Sequence, residues 1–240
     1  MRRSHETGTL VIISNHVKSI YDDRWIGNVF HYTGMGTEGD QSLEFAQNKT
    51  LAESSVNGVD VHLFEIFRSK EYTYIGRVEL ESDPYRETQI DAEAKSRLVW
   101  MFPLKLASGN VPIIDKDKIE KLSAFKDKKA MKLSDQDLEA RAQSCSGVPG
   151  NRLVSTIQYD RNASVSEFVK RRARGRCQLC GLPAPFKRKD GTPYLETHHV
   201  IWLSEGGEDT VDNTVALCPN CHRKMHVLNS IDDIKKLKRA

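Results

Sequence analysis

The residues with the most specific chemistry lie between Cys177 and His226. Two Cys-x-x-Cys pairs, Cys177/Cys180 and Cys218/Cys221, stand at the two ends of this stretch. Four thiolates are a complete tetrahedral ligand set for a structural zinc ion and leave no position for water. The cysteines would therefore hold the fold, and other ligand-type residues between them are free to do chemistry.

Four of the eight histidines of the chain fall in the same stretch: His198, His199, His222 and His226. Adjacent residues of a strand point to opposite faces, so His198 and His199 cannot both address one ion. Residues at i and i+4 share a helix face, as His222 and His226 would. We expect His198 and His222, with or without His226, to hold a divalent ion, and His199 to deprotonate water.

Asn213 lies in the loop before the second strand of this region, where its amide could fix the loop or orient His199. The alternative for the whole stretch is a zinc ribbon without activity, whose histidines are surface residues.

A basic patch lies beside the first cysteine pair. Between Arg161 and Asp190, nine basic residues stand against two acidic ones, although the whole chain has a net charge of only +3. Such a patch is typical of a surface that contacts nucleic-acid phosphates, and the alternative is a solvated helix face. The expected backbone contacts are Arg171, Arg172, Arg174, Arg176, Lys187 and Arg188.

The composition is that of a soluble globular protein of one or two domains: 240 residues, 38% hydrophobic and 29% charged. No apolar run approaches the length of a membrane span, and the first residues do not resemble a signal peptide. With four of five cysteines assigned to metal, a disulfide framework is not expected, which suits a reducing cytoplasm. Cys145 is expected to be a free thiol in a connector.

The first hundred residues predict a mostly β structure with one helix. The predicted strands are 8–14, 59–67, 72–80 and 96–106. The predicted helix is 42–54, and Pro103 is expected to interrupt the last strand or to place it at a sheet edge.

After residue 107 the chain becomes lysine-rich and helical in propensity. Ser134 and Asp137 form an N-cap pattern, and 145–151 is typical of a linker. A helix capped by Ser164 or Ser166 should end at Gly175. The order strand (195–203), loop, strand, helix follows.

The segment ETHHVIWLSEGGEDTVDNTVALCPNCHRKMH closely resembles the HNH endonuclease (ββα-metal) family, in the branch with an added four-cysteine zinc. The resemblance implies His199 as general base, His198 and His222 as ligands of Mg²⁺ or Mn²⁺, and Asn213 as the residue that positions the loop. His226 is either a third ligand or a contact to the scissile phosphate. The implied reaction is hydrolysis of DNA to 5′-phosphate and 3′-hydroxyl ends.

The segment YDDRWIGNVFHYTGMG resembles the SRA domain, which flips 5-methylcytosine out of DNA. A flipped cytosine needs stacking planes and a polar group for its Watson–Crick edge. Tyr21 and Tyr32 could stack on the base, Asp23 could accept a hydrogen bond from N4, and Thr33 could line the pocket. The alternative is a β domain in which the aromatic residues are core and the aspartates cap a turn.

Together these patterns predict an α+β protein of two domains: an SRA-like (PUA-type) curved sheet or barrel at 1–107, a helical linker or dimerisation region at 108–160, and a zinc-stabilised HNH domain at 161–240. This organisation resembles the modification-dependent (McrA-like) restriction endonucleases. The expected partner is double-stranded DNA carrying 5-methylcytosine or 5-hydroxymethylcytosine, cut by a homodimer. The rivals are an HNH nuclease that reads unmodified sequence or another modification, and a non-catalytic methyl-DNA binder.

Overall fold

The computed structural model describes residues 1–18, 20–91, 95–110, 112–143 and 147–238. The chain forms two compact units, Met1–Thr156 and Ile157–Ala240. Cys145 and Ser146, the first two residues of the linker predicted at 145–151, lie outside the described residues. No helix among the described residues has the length and apolar character of a membrane span.

The described part of the first unit is built on an eight-stranded sheet. Its strands are β1 (Arg2–Ser4), β2 (Thr9–Asn15), β3 (Arg24–Ile26), β4 (Val29–Thr33), β5 (Asp60–Arg68), β6 (Glu71–Leu80), β7 (Tyr85–Ile90) and β8 (Ser96–Leu106). The order is β1-β2-β5-β6-β8-β4-β3, and β7 pairs with β8. Alternate residues of each strand point inward, so Leu10, Leu63, Phe30 and Leu104 meet in one fully buried core.

Pro103 does not act as expected. Strand β8 runs unbroken through it and is not an edge, since β4, β6 and β7 all pair with it. The Pro103 carbonyl accepts from Glu81 N at 2.9 Å, so its nitrogen also faces the β6 side. Strand β6 has ended at Leu80, and the missing N–H therefore falls where the regular ladder is already over.

The predicted helix at 42–54 is shorter than expected. Helix α1 spans Gln47–Ala52, and its buried residues are Asn48, Thr50 and Leu51. The Asn48 side chain hydrogen-bonds backbone atoms of Met35 and Ser42, which holds the preceding segment in turns instead of helix. Strands β1 and β7 were not predicted from the sequence.

The first compact unit extends through most of the segment predicted as a linker. Helix α2 (Lys116–Ala130) buries Leu122 in a small cluster with Phe67 and Ile114. Strands β9 (Ile113–Asp115) and β10 (Leu153–Ser155) pair in parallel, and this pairing joins the beginning and the end of the segment. Helix α3 (Asp135–Gln143) has no buried residue among those described, and the predicted Ser134–Asp137 cap is confirmed, with Asp137 N donating to Ser134 Oγ at 3.1 Å.

The second unit contains α4 (Ala163–Arg172), β11 (Glu196–His199), β12 (Thr214–Leu217), α5 (Pro219–Leu228) and α6 (Ile231–Leu237). The predicted caps of α4 are wrong: Asn162 caps it by accepting from Ser164 N at 2.9 Å, and the helix ends at Arg172. Strand β11 is also shorter than 195–203. It stops at His199 because the chain then turns into a 3-10 helix at Leu203–Glu205.

Candidate functional sites

Four thiols converge in the second unit. The Sγ atoms of Cys177, Cys180, Cys218 and Cys221 lie within 4.8 Å of one another. Zinc–sulfur bonds of about 2.3 Å would place tetrahedral sulfur atoms roughly 3.8 Å apart, so this set fits Zn²⁺ after small adjustments. A tight turn shapes the first pair, where Gly181 has a φ of 75° and donates to Cys177 O at 2.8 Å.

The environments of Cys177 and Cys221 shift their pKa values in opposite directions. Burial opposes ionisation of Cys177, but hydrogen bonds from the backbone of Cys180 and Cys218 lower its pKa to about 7. Burial, followed by the neighbouring thiols, raises the pKa of Cys221. A bound divalent cation would offset the cost of ionising these buried thiols, because a thiol binds a metal ion as the thiolate.

His198 meets the two histidines of α5 in a second cluster. The ligand nitrogens of His198, His222 and His226 lie within 4.8 Å of one another. His198 is 2% exposed, and in the described structure its buried Nε2 has no hydrogen-bond partner. An unpaired buried nitrogen costs about 1–3 kcal/mol, so the orphaned Nε2 fits a bound cation. Burial, and then His222 and His226, lower the pKa of His198 to about 4, which keeps the ring in its neutral, metal-binding form.

Glu196 holds one of these rings in place. Its Oε2 lies 2.6 Å from His222 Nδ1, and its Oε1 accepts from the Tyr194 hydroxyl at 2.9 Å. A carboxylate on Nδ1 directs Nε2 towards the cluster and makes it a stronger ligand. Sequence reasoning missed Glu196, although strand alternation places it on the same face of β11 as His198.

His199 is not part of the three-histidine cluster and is 6% exposed. Its Nε2 lies 2.8 Å from Asp209 Oδ1, which places the ring proton on Nε2 and leaves Nδ1 as an acceptor. Asp209 also accepts from Asn162 N at 2.5 Å. That bond, and then His199, lower the pKa of Asp209, so the carboxylate stays ionised. Sequence reasoning missed Asp209, because ten residues separate it from His199.

Asn213 fixes the loop between the two strands. Its Oδ1 accepts from Ile201 N at 2.8 Å, and its Nδ2 donates to Ile201 O and Glu208 O. Asp209, and not Asn213, is the side chain that hydrogen-bonds His199. The loop also needs Gly207, where a Cβ atom would lie 2.0 Å from Ile201 O.

Both neighbouring histidines line one cavity of about 230 Å³. His198 and His199 share it with His222, His226 and residues of the loop, and Arg161 and Tyr159 also line it. The cavity therefore combines a metal-type cluster, a hydrogen-bonded histidine and a guanidinium. In the sequence, Arg161 was counted only as part of the basic patch.

Three of the predicted phosphate-contacting arginines take part in folding contacts. Arg172 donates to Thr214 O at 3.1 Å, Arg176 donates to Gly181 O at 3.2 Å, and Arg188 donates to Pro193 O at 3.2 Å. Arg171 pairs with exposed Glu167, and Lys187 is exposed. Arg171, Arg174 and Arg188 nevertheless line one groove of about 680 Å³. Their role in DNA binding stays a prediction.

In the first unit, the structure brings Asp23 and Thr33 together. Asp23 Oδ1 accepts from Thr33 N at 2.8 Å, and the two residues are 8% and 1% exposed. Burial raises the pKa of Asp23 to about 6, although Thr33 and Ser14 donate to it. Gln89, missed by sequence reasoning, lies beside them and donates to Thr33 Oγ1 at 3.3 Å.

The two tyrosines differ in environment. Tyr32 is 5% exposed and packs in the core against Phe30, as the alternative from the sequence expects. Tyr21 is partly buried, donates to Gly36 O at 3.2 Å, and has the Arg97 guanidinium 5.7 Å from its ring centre. Burial raises the pKa of Tyr21, which keeps the hydroxyl neutral.

A β-hairpin and helix that hold three histidines, next to a four-cysteine cluster, define the class of zinc-stabilised ββα-metal HNH domains. Residues 177–227 match the family HNH endonuclease. Residues 3–124, half of the chain, match the family described as ScoMcrA-like, SRA domain. The chain belongs to this ScoMcrA-like SRA family, and the α+β class predicted from the sequence is confirmed.

Similar proteins include the type IV methyl-directed restriction enzyme EcoKMcrA of Escherichia coli (strain K12), 56% identical over 68 residues, which are 28% of this chain and 24% of the relative. Similar solved structures include the modification-dependent TagI restriction endonuclease, which is 24% identical. The match covers 90% of this chain and 66% of that chain, with a TM-score of 0.32. Another is the type IV phosphorothioation-dependent restriction endonuclease ScoMcrA, which is 22% identical. The match covers 95% of this chain and 48% of that chain, with a TM-score of 0.34. The chain thus spans less than two thirds of the length of each of these relatives.

Proposed function

We propose that this chain is a metal-dependent DNA endonuclease that recognises modified cytosine and hydrolyses phosphodiester bonds. The observation that carries the proposal is the 230 Å³ cavity of the second unit, where the three-histidine cluster, the His199–Asp209 pair and Arg161 meet. The HNH match and a relative named as methyl-directed support the same conclusion.

In this mechanism, His199 Nδ1 accepts a proton from the attacking water, while Asp209 holds the ring and stabilises the resulting imidazolium. Arg161 offers N–H donors to the non-bridging oxygens of the scissile phosphate. His198, His222 and His226 would hold a divalent ion. When bound, this ion would stabilise charge on the phosphate and on the leaving 3′ oxygen.

The donor set bears on which ion is used. Three imidazole nitrogens suit transition-metal ions, whereas Mg²⁺ prefers oxygen ligands. Of the two ions expected from the sequence, the cluster favours Mn²⁺. The four-cysteine site would hold Zn²⁺ and stabilise the unit without taking part in the reaction.

For the first unit, we propose that a flipped modified cytosine binds beside Asp23 and Thr33. Asp23 would accept from the N4 amine, and Tyr21, the less buried of the two tyrosines, would stack on the base. Because Tyr32 is packed in the core, its contact with a base requires the pocket to open. The discrimination between 5-methyl and 5-hydroxymethyl groups would come from residues around Thr33.

The proposal includes a homodimer, because one chain carries one nuclease site and double-strand cleavage takes two. Helix α3 supports this view, since it has no buried residue among those described and Met131 before it is 83% exposed. Sedimentation of the protein, alone and on modified DNA, tests the dimer, and a monomer in both states would contradict it.

The central test uses one plasmid prepared with and without 5-methylcytosine, incubated with Mn²⁺, Mg²⁺ or EDTA. We expect metal-dependent cleavage of the methylated plasmid only, and loss of cleavage with retained binding in His199→Ala. Equal cleavage of both plasmids would keep the nuclease and reject the methyl reader. Binding without cleavage by the wild type would favour the rival, a non-catalytic methyl-DNA binder.

A further inference from the structure

A buried arginine in the first unit lacks the partners that such a group needs. Arg97, on the inner face of β8, is 3% exposed. Its Nη1 donates to Gly36 O at 2.6 Å, but its buried Nε and Nη2 have no hydrogen-bond partner in the described structure. Leaving the buried donors of a charged group unpaired costs free energy of folding, so such donors in a native protein indicate a functional role.

Arg24 shows what a structural arginine looks like in the same unit. It is 8% exposed and its Nε is also without a partner, but its Nη1 and Nη2 donate to the carboxylates of Asp22 at 3.0 Å and of Glu87 at 3.0 and 2.5 Å. Among the described residues, Arg97 has no carboxylate within ion-pair distance. The contrast indicates that the Arg97 guanidinium pairs with a bound ligand and not with a described residue of the chain.

Arg97 lies where the proposed base pocket is formed. It accompanies Tyr21, because both side chains donate to Gly36 O and the guanidinium faces the Tyr21 ring. In the β7–β8 register it pairs with Gln89, whose side chain reaches Thr33. Arg97 therefore belongs to the same polar inner face as Asp23 and Thr33.

We propose that Arg97 is a ligand-binding residue of the reader pocket, which presents Nε and Nη2 to oxygen acceptors, preferably anionic ones, of the flipped nucleotide. The inference rests on the proposed function and deepens it. Two sources offer this chemistry: the phosphate beside the modified cytosine, and an oxygen-bearing substituent at C5 such as hydroxymethyl or carboxyl. A guanidinium binds such oxygens through two parallel N–H donors.

The experiment measures affinity of the full chain in EDTA, so that cleavage plays no part. The probes are duplexes with one cytosine, 5-methylcytosine, 5-hydroxymethylcytosine or 5-carboxylcytosine, and a 5-methylcytosine duplex with a neutral methylphosphonate beside the modified base. Arg97→Met and Arg97→Lys are compared with Arg86→Met, a control in which an exposed arginine also lies over an aromatic ring, 5.1 Å from the Trp100 centre.

We expect Arg97→Met to lose about tenfold or more in affinity for modified DNA, Arg97→Lys to recover part of it, and Arg86→Met to bind as the wild type does. If the phosphate is the ligand, the methylphosphonate weakens the wild type but not Arg97→Met. If the substituent is the ligand, the wild type prefers the oxygenated bases and Arg97→Met loses that preference.

The melting temperature separates binding from folding. Because Arg97 has unpaired buried donors, we expect Arg97→Met to melt at or above the wild-type temperature. An Arg97→Met protein that is folded and binds every probe as the wild type does would overturn the inference, as would weaker binding that only follows lost stability. A wild type without preference for any modified cytosine would instead reject the proposed function.

Discussion

His199 Nε2 lies 2.8 Å from Asp209 Oδ1, and this pair connects the end of β11 to the loop that precedes β12. The carboxylate selects the ring tautomer that leaves Nδ1 free to accept a proton. It also ties the histidine-lined cavity to the start of α4, because Asp209 accepts from Asn162 N as well.

Replacement of this carboxylate should slow the reaction without abolishing DNA binding. We expect Asp209→Asn to lower the cleavage rate about 10- to 100-fold, as is typical when the partner of a functional histidine is lost. The rate is measured under single-turnover conditions with saturating Mn²⁺. Asp212→Asn, which alters an exposed carboxylate of the same loop, is the control, and equal rates for the two variants would contradict the role of Asp209.

Loss of the second carboxylate should act on metal affinity. In Glu196→Gln the bond of 2.6 Å to His222 Nδ1 loses its charge, so we expect Mn²⁺ to bind about 10- to 100-fold more weakly. Calorimetric titration of the zinc-loaded protein with Mn²⁺ measures this change. The exposed Glu205→Gln should bind Mn²⁺ normally, and an unchanged affinity in Glu196→Gln would show that the ion binds elsewhere.

Removal of zinc should unfold the second unit only. The four cysteines converge around small clusters of buried residues, one of which includes Cys177, Leu217 and Met225, so the ion replaces part of a core. In scanning calorimetry we expect Cys218→Ala, or a strong chelator, to abolish one transition and to preserve that of the first unit. The persistence of two transitions without zinc would contradict a structural role for the ion.

The reader should lose selectivity in mild acid. Asp23 has a pKa of about 6, raised by burial, so it is protonated as the pH falls below that value. If only the ionised form accepts from N4, the preference for a duplex with 5-methylcytosine over one with thymine at the same position should fall about tenfold from pH 7 to pH 5, because thymine lacks the N4 amine. In Asp23→Asn this ratio should not vary with pH, and a wild-type ratio that is constant over this range would reject the role.

Asp23 should also make the stability of the first unit depend on pH. Because the folded state raises the pKa of Asp23, its contribution is fully present below the unfolded value of about 3.9 and is lost as the pH rises through 6. Denaturant unfolding should therefore show Asp23→Asn gaining stability relative to the wild type as the pH rises from 4 to 8.

A buried ion pair should control the stability of the first unit. Glu65 is fully buried and accepts from Arg152 at 2.9 and 2.5 Å and from His16 at 2.7 Å. Burial opposes its ionisation, yet His16 and Arg152 lower the pKa of Glu65 to about 2. We expect Arg152→Met to lower the free energy of unfolding by about 3–5 kcal/mol, because it leaves a buried charge without its strongest partner.

The free energy of unfolding that Glu65 contributes should decrease in acid, because the folded state lowers the pKa of Glu65. The Glu65 contribution is present above pH 4.5 and is lost as the pH falls towards 2, so the gap between Arg152→Met and the wild type should narrow in acid. Arg68→Met, which breaks an exposed pair with Glu71, should change stability little at any pH. A similar small effect of Arg152→Met would contradict this account.

The sequence by itself determined the metal-type clusters, because their signals are local. The spacing of Cys177/Cys180 and Cys218/Cys221, and the i, i+4 spacing of His222 and His226, already specify which atoms share a turn or a helix face. Strand alternation likewise predicted separate roles for His198 and His199, and in the structure His198 joins the three-histidine cluster while His199 hydrogen-bonds Asp209. The α+β class followed from the same local patterns.

The tertiary structure alone decided which side chains support these clusters. Arg161 lines the cavity, and Asp209 and Glu196 hydrogen-bond two of its histidines, only because the loop before β12, strand β11 and the chain before α4 meet in space. The buried charges of the first unit follow the same rule: Arg152 pairs with Glu65 across 87 residues, whereas Arg97 does not pair with any described carboxylate. Hydrogen bonding and desolvation depend on distances between atoms, and sequence spacing does not specify those distances for residues far apart in the chain.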